Sequence, residues 1–133
     1  MKTIFTKIID GELPSVKIHE DDYCVVILDI NPIKKGHCLV VSKEPYEVFS
    51  DCPLDVLNHL MEVAQTADKI LRERLKCNGT NLIINNGKAA NQQIPHLHIH
   101  IMPRYFGDNQ TVAVPHEAYK DGEIEEFGKL LSF

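Results

Sequence analysis

Residues 96–102 read His-Leu-His-Ile-His-Ile-Met, with imidazole and aliphatic side chains in strict alternation. A period of two belongs to the β-strand, whose successive side chains point to opposite faces of a sheet. The run predicts a strand that puts His96, His98 and His100 on one face and Leu97, Ile99 and Ile101 on the other. The aliphatic face demands cover from the core. The opposite face then carries three imidazoles whose successive Cα atoms are roughly 7 Å apart.

The covering element is legible upstream. Leu57, Leu60, Met61, Ala64, Ala67, Leu71 and Leu75 recur at spacings of three and four, the apolar stripe of a long helix. Asp51 is the predicted N-cap, Pro53 suits the first turn, and Gly79 is placed just past the last helical residue. The first ten residues predict a short helix, broken at Gly11 and Pro14. SVKIHE, CVVILDI, HCLVVSK and NLIINNG read as further strands, joined by EDDY and by a loop punctuated by Pro32 and Gly36. A second short helix is expected near the C-terminus, with Ile124, Phe127 and Leu131 on one side. Short connections favour antiparallel neighbours, so the expected class is α+β, an antiparallel sheet with one long helix and a short N-terminal helix.

Bulk properties narrow the function. A chain of 133 residues fits one domain that buries a core without staples. The net charge of −5 repels long phosphate backbones and argues against a nucleic-acid partner, while leaving a small phosphate ligand open. No apolar run is long enough to span a bilayer, and the N-terminus lacks the apolar core of a signal peptide. The expected location is the cytoplasm, with the nucleus also open. Cys24, Cys38, Cys52 and Cys77 form no C-x-x-C pair and read as free thiols, the first two as small core hydrophobes.

Three readings of the imidazole face compete. One is a half-exposed sheet face that happens to hold histidines. A second is a metal site, since histidines at i and i+2 can grip one zinc and a third completes it. No acidic residue lies between Gln92 and Tyr105 to support such ligands locally. A third is nucleophilic catalysis: a neutral imidazole attacks phosphorus, and the resulting adduct is readily hydrolysed. His98, flanked on both sides, suits the nucleophile. The preceding loop, NNGKAANQQ, supplies neutral donors in Asn85, Gln92 and Gln93 together with backbone N–H groups.

The run His96-Leu97-His98-Ile99-His100-Ile101-Met102 resembles the signature of the histidine-triad (HIT) family. TIFTKIIDGELPSVKIHEDD and ILDINPIKKGHCLVVSK are similar, in order, to segments of its Hint branch, so that the likeness covers residues 3–105. The resemblance implies a single HIT domain over 1–133, with a core at 3–105 and a C-terminal extension at 106–133. It also implies a sheet extended across a homodimer. The activity it implies is hydrolysis of purine nucleoside phosphoramidates through a nucleotidyl–histidine intermediate. The alternatives are cleavage of dinucleoside polyphosphates, or nucleotide binding with little catalysis. The implied partner is a purine nucleoside monophosphate or its phosphoramidate, with no cofactor.

By motif position, His98 takes the nucleotidyl group, the main-chain carbonyl of His96 fixes the His98 tautomer, His100 contacts the phosphate, and His37 is a further active-site histidine. Asp29 matches the carboxylate that holds the ribose hydroxyls. Ile4, Phe5, Ile8, Ile27 and Ile30 match the apolar wall around the base, and Asn85, Asn91 and Gln93 the phosphate contacts. The sequence departs from bacterial relatives in having Thr3 and Thr6 where many carry a zinc-binding C-x-x-C, and Glu44-Pro45 where a downstream histidine is usual. No zinc of that kind is expected. Gln93 replaces a small hydroxyl residue and Ala90-Asn91 a Gly-rich turn, which bears on the leaving group.

Overall fold

The computed structural model describes residues 2–109 and 115–133; five residues of the expected C-terminal extension lie outside them. The chain opens with helix α1 (Ile4–Ile9), then strands β1 (Lys17–Glu20), β2 (Cys24–Leu28) and β3 (Cys38–Ser42). Helix α2 (Leu54–Leu75) follows, then β4 (Gly79–Ile83), β5 (His98–Arg104) and helix α3 (Glu123–Leu131). The strands form one sheet in the order β1-β2-β3-β5-β4, every neighbouring pair antiparallel. The expected α+β class holds.

The sheet has two differently covered faces because its strands alternate. Cys24, Val26, Cys38, Val40, Leu97, Ile99 and Ile101 pack against Leu60, Ala64, Ala67 and Leu71 of α2 in one buried cluster. Burying each such aliphatic side chain is worth roughly 1.5–3 kcal/mol, which is why a 22-residue helix lies across this face. Met61 and Leu75, predicted in the stripe, lie at its rim, 38% and 39% exposed. Cys24 and Cys38 are fully buried free thiols, as expected. The other face packs Val25, Ile27, Leu39 and Val41 against Phe5 and Ile8 of α1. Register continues that face onto β5, where Leu39 pairs with His100 and Val41 with His98.

Three of the boundaries that differ from the sequence reading have a local cause. Helix α2 is capped by Pro53, not Asp51. Cys52 precedes a proline and is held extended (φ −80°, ψ 127°), so helix cannot run back to Asp51, which closes a 3₁₀ turn at Phe49–Asp51. At the other end Lys76 takes the left-handed conformation (φ 56°) that stops the helix, and Gly79 begins β4 instead. Strand β5 begins at His98, two residues later than predicted. Ser42 N–H still donates to the Leu97 carbonyl, but Leu97 N–H donates to the Tyr46 carbonyl and the Ser42 carbonyl accepts from the His96 ring, so the ladder ends before His96 is reached.

Candidate active site

β5 carries His98 and His100 side by side, ring centroids 4.8 Å apart. Phe5 of α1 packs edge-on against His98 at 4.9 Å and against His96 at 5.6 Å. All three imidazoles thus lie on the α1 side of the sheet, opposite Leu97, Ile99 and Ile101. They do not line one surface equally. His96 is wholly buried and His98 nearly so, whereas His100 is half-buried. The three imidazoles therefore share the predicted face at different depths, with His96 the most buried.

The hydrogen bonds define each tautomer, because a carbonyl can only accept and a backbone N–H can only donate. His98 Nδ1 lies 2.7 Å from the His96 carbonyl, so Nδ1 carries the proton and Nε2 holds the lone pair. His96 Nε2–H donates to the Ser42 carbonyl at 2.6 Å, which leaves its Nδ1 as an acceptor for the Thr3 hydroxyl at 2.8 Å. Ile33 N–H donates to His37 Nδ1 at 3.1 Å, so His37 Nε2–H donates to His100 Nδ1 at 2.9 Å. His100 therefore carries its own proton on Nε2. A chain of fixed donors thus ends in an N–H on His100, whose ring packs 4.8 Å from that of His98.

Burial is the main reason these rings resist protonation. It pushes His98, His96 and His37 below the ordinary imidazole value; at His98 the His96 carbonyl and the Asp29 carboxylate oppose the shift. His100 is pushed down to about 4 by burial first, then by the charge that His98 and His37 would carry. Neutral rings in their fixed tautomers are the form held at neutral pH.

Asp29 follows β2. One oxygen accepts from Asn31 N–H at 2.9 Å, and the other lies 3.6 Å from His37 Nε2. The ligand atoms of Asp29, His37 and His100 lie within 4.8 Å of one another, a set able to hold a metal ion. Among the expected apolar-wall residues, Phe5, Ile8 and Ile27 are buried in the core while Ile4 and Ile30 are exposed. Ile4 and Gln93 share an open depression of about 200 Å³ with Lys2, Thr3, Ile94 and Pro95. Asn85 is half-buried just beyond β4, and Asn91 is exposed in a left-handed conformation (φ 68°). Gln92 departs from its expected role as a phosphate donor. Its Oε1 accepts from Gly87 N–H and its Nε2 donates to the Glu47 carbonyl, both at 2.7 Å, so the buried amide clamps the loop.

Thr3 was not among the candidate residues. Its hydroxyl accepts from Thr6 N–H, and the Thr6 hydroxyl accepts from Thr3 N–H, a reciprocal cap on α1. The same Thr3 oxygen reaches His96. The sequence offered one signal, the threonine pair standing where relatives carry C-x-x-C.

An antiparallel sheet that holds a linked set of neutral histidines on one face, beneath a capped N-terminal helix, defines a histidine-triad architecture. The HIT domain matches residues 10–107, and the chain belongs to the HIT family. It is 43% identical over 109 residues to an uncharacterised HIT-like protein of Methanocaldococcus jannaschii, covering 82% of this chain and 84% of that one. It is 40% identical over 101 residues to an Arabidopsis thaliana adenylylsulfatase, 76% of this chain but 51% of the other. An adenosine 5'-monophosphoramidase of Saccharomyces cerevisiae is 33% identical over 127 residues, 96% of this chain and 77% of that one. The crystal structure of a Bacillus subtilis HIT protein superposes with a TM-score of 0.89 at 30% identity, covering 98% and 95% of the two chains.

Proposed function

We propose that the protein hydrolyses purine nucleoside phosphoramidates at the α-phosphorus, with His98 as nucleophile. The observation that carries this reading is the 2.7 Å bond from His98 Nδ1–H to the His96 carbonyl, which leaves Nε2 bare on a ring 4.8 Å from that of His100. Nε2 attacks phosphorus, the P–N bond to the amine breaks, and the departing nitrogen takes a proton from solvent. The His96 carbonyl accepts a stronger hydrogen bond as the His98 ring gains positive charge. His100 Nε2–H faces a phosphoryl oxygen. Water then attacks the same phosphorus, the P–Nε2 bond breaks, a proton departs, and the nucleoside monophosphate leaves with His98 restored. In this reading Asp29 accepts from the ribose hydroxyls, Ile4 and Ile30 border the base, and Asn85, Asn91 and Gln93 donate to the phosphate.

Support comes from the relative named a monophosphoramidase and from the neutral rings. The relative named an adenylylsulfatase favours a second reading, in which the leaving group is sulfate and the attack at phosphorus is the same. Side-by-side turnover of an AMP–amine and an adenylyl sulfate separates the two. Dinucleoside polyphosphates belong in the same panel. His98→Ala should lower turnover by several orders of magnitude; wild-type rates would refute the assignment. A radiolabelled phosphoramidate should leave label on His98. No step passes through a metal, so activity should survive exhaustive chelation. A homodimer is part of the proposal, with β1 and β4 as the available sheet edges, and sedimentation tests it.

A further inference from the structure

Far along the sheet from β5, the turn between β1 and β2 meets helix α2. His19 of β1 places Nε2 2.7 Å from Asp21 Oδ2, and His59 of α2 places its Nε2 2.8 Å from the same oxygen. One carboxylate oxygen thus receives two imidazoles from separate elements. The carboxylate is itself held in place: its other oxygen accepts from Tyr23 N–H at 2.8 Å and Cys24 N–H at 3.0 Å. The Tyr23 ring packs on His59 at 4.7 Å and limits that imidazole's freedom. Cys24 Sγ lies 3.7 Å from Oδ2, on the core side.

From this convergence we propose a zinc-class divalent metal site formed by His19 Nε2, His59 Nε2 and Asp21 Oδ2, open to water at the fourth position. Two imidazoles and a carboxylate suit zinc and its neighbours, and not the all-oxygen preference of magnesium or calcium. Ligand atoms around tetrahedral zinc lie roughly 3.3 Å apart, given bonds of about 2.0–2.1 Å. The present 2.7–2.8 Å separations must therefore open by about half an ångström. His19 and His59 are partly exposed (47% and 30%), so both rings can draw back from Oδ2 and re-orient around an ion. On binding, each Nε2 gives up its proton so that its lone pair can meet the metal, and the metal replaces two hydrogen bonds. Water fills the fourth position instead of Cys24, whose thiol is fully buried on the core side of the carboxylate. The bound ion would tie edge strand β1, exposed along its whole length, to helix α2.

The Asp29–His37–His100 set is a separate candidate for metal, so the test must tell the two apart. Metal-free full-length protein is titrated with Zn²⁺ against a chromophoric chelator. The imidazole nitrogens are followed by long-range ¹H–¹⁵N NMR, and the thermal midpoint is read with and without metal. The expected result is a shift of both the His19 and His59 Nε2 resonances, with a rise of several degrees in midpoint. His19→Gln/His59→Gln should lose one zinc equivalent and that rise. Asp21→Asn, which keeps an acceptor for Tyr23 and Cys24 N–H, should do the same in a folded protein. His100→Gln should retain this equivalent. Unmoved His19 and His59 resonances in the wild type, or an unchanged stoichiometry in the double variant, overturns the site.

Discussion

The Thr3 hydroxyl donates to His96 Nδ1 across 2.8 Å, joining the first turn of the chain to a residue 93 positions later. The same oxygen caps α1 by accepting from Thr6 N–H. His96 in turn offers its carbonyl to His98, so the cap of a six-residue helix sits two bonds from the bare nitrogen of the proposed nucleophile. Thr3→Ala removes both functions and leaves a buried ring nitrogen unpaired. An unsatisfied buried acceptor costs about 1–3 kcal/mol, and a lost cap about 1 kcal/mol. Urea unfolding should show a loss of about 2–4 kcal/mol, with Thr3→Ser recovering most of it. Phosphoramidate turnover should fall about tenfold, near 1.4 kcal/mol of transition-state stabilisation, with KM little changed. An alanine variant with wild-type stability and turnover removes Thr3 from the positioning of His96.

The parts of this fold that were legible in the sequence are those governed by period. Alternation in HLHIHIM put His98 and His100 opposite Ile99 and Ile101 because a strand allows nothing else. Three-and-four spacing picked out Leu57, Leu60, Ala64, Ala67 and Leu71 as the buried face of α2. What escaped depends on partners distant in the chain. His96 continues the alternation in the sequence, yet Leu97 N–H donates to Tyr46 and the His96 ring takes the Ser42 carbonyl, and no local rule reveals that. Gln92 reads as a loop donor until Glu47 and Gly87 claim its amide. His19 and His59 read as isolated histidines until the hairpin turn brings Asp21 between them.

His37 sets the tautomer of His100, and the effect is open to a direct test. Ile33 N–H fixes His37 Nδ1 as an acceptor, so Nε2–H must donate to His100 Nδ1. His37→Ala leaves His100 free to place its proton on Nδ1, turning a donor away from the phosphate. The expected result is a KM for the phosphoramidate raised about tenfold or more, with partial rescue by His37→Gln, whose amide can still donate. NMR of the His100 ring nitrogens should show the tautomer changing in the alanine variant.

Protonation of the linked histidines should destabilise this protein as pH falls. The four histidines have folded pKa values below their ordinary 6.5, chiefly through burial. As pH falls, the unfolded chain takes up protons that the folded one refuses. The stabilisation is therefore full above about pH 6.5 and lost as pH falls toward about 4, the value reached by His100. One pKa unit is about 1.4 kcal/mol, and mutual repulsion among the rings accounts for part of the shift at His37, His96 and His100, which leaves on the order of 2 kcal/mol for the cluster. Denaturation at pH 7.5 and pH 5 should show that loss, and His100→Gln should reduce it. The acid limb of kcat/KM should fall below pH 6.5, because His98 stays neutral there.

Gly36 places His37, and its backbone explains why no other residue fits. Its φ of +98° lies outside the region L side chains favour. An added Cβ would lie 2.5 Å from Leu75 Cδ1 and 3.5 Å from Pro103 Cγ. The two costs differ in kind. Leu75 is partly exposed and its side chain can swing aside, whereas the dihedral strain stays unless the loop moves. Any such movement disturbs the bonds that seat His37, whose N–H donates to the Lys34 carbonyl and whose own carbonyl accepts from Asp29 N–H. Gly36→Ala should therefore lose about 2 kcal/mol in urea unfolding. Adding Leu75→Ala removes the clash but not the strain, so a double-mutant cycle should return less than half of that loss as coupling. Full recovery in the double variant would assign the whole effect to Leu75 and leave the backbone of Gly36 without a role.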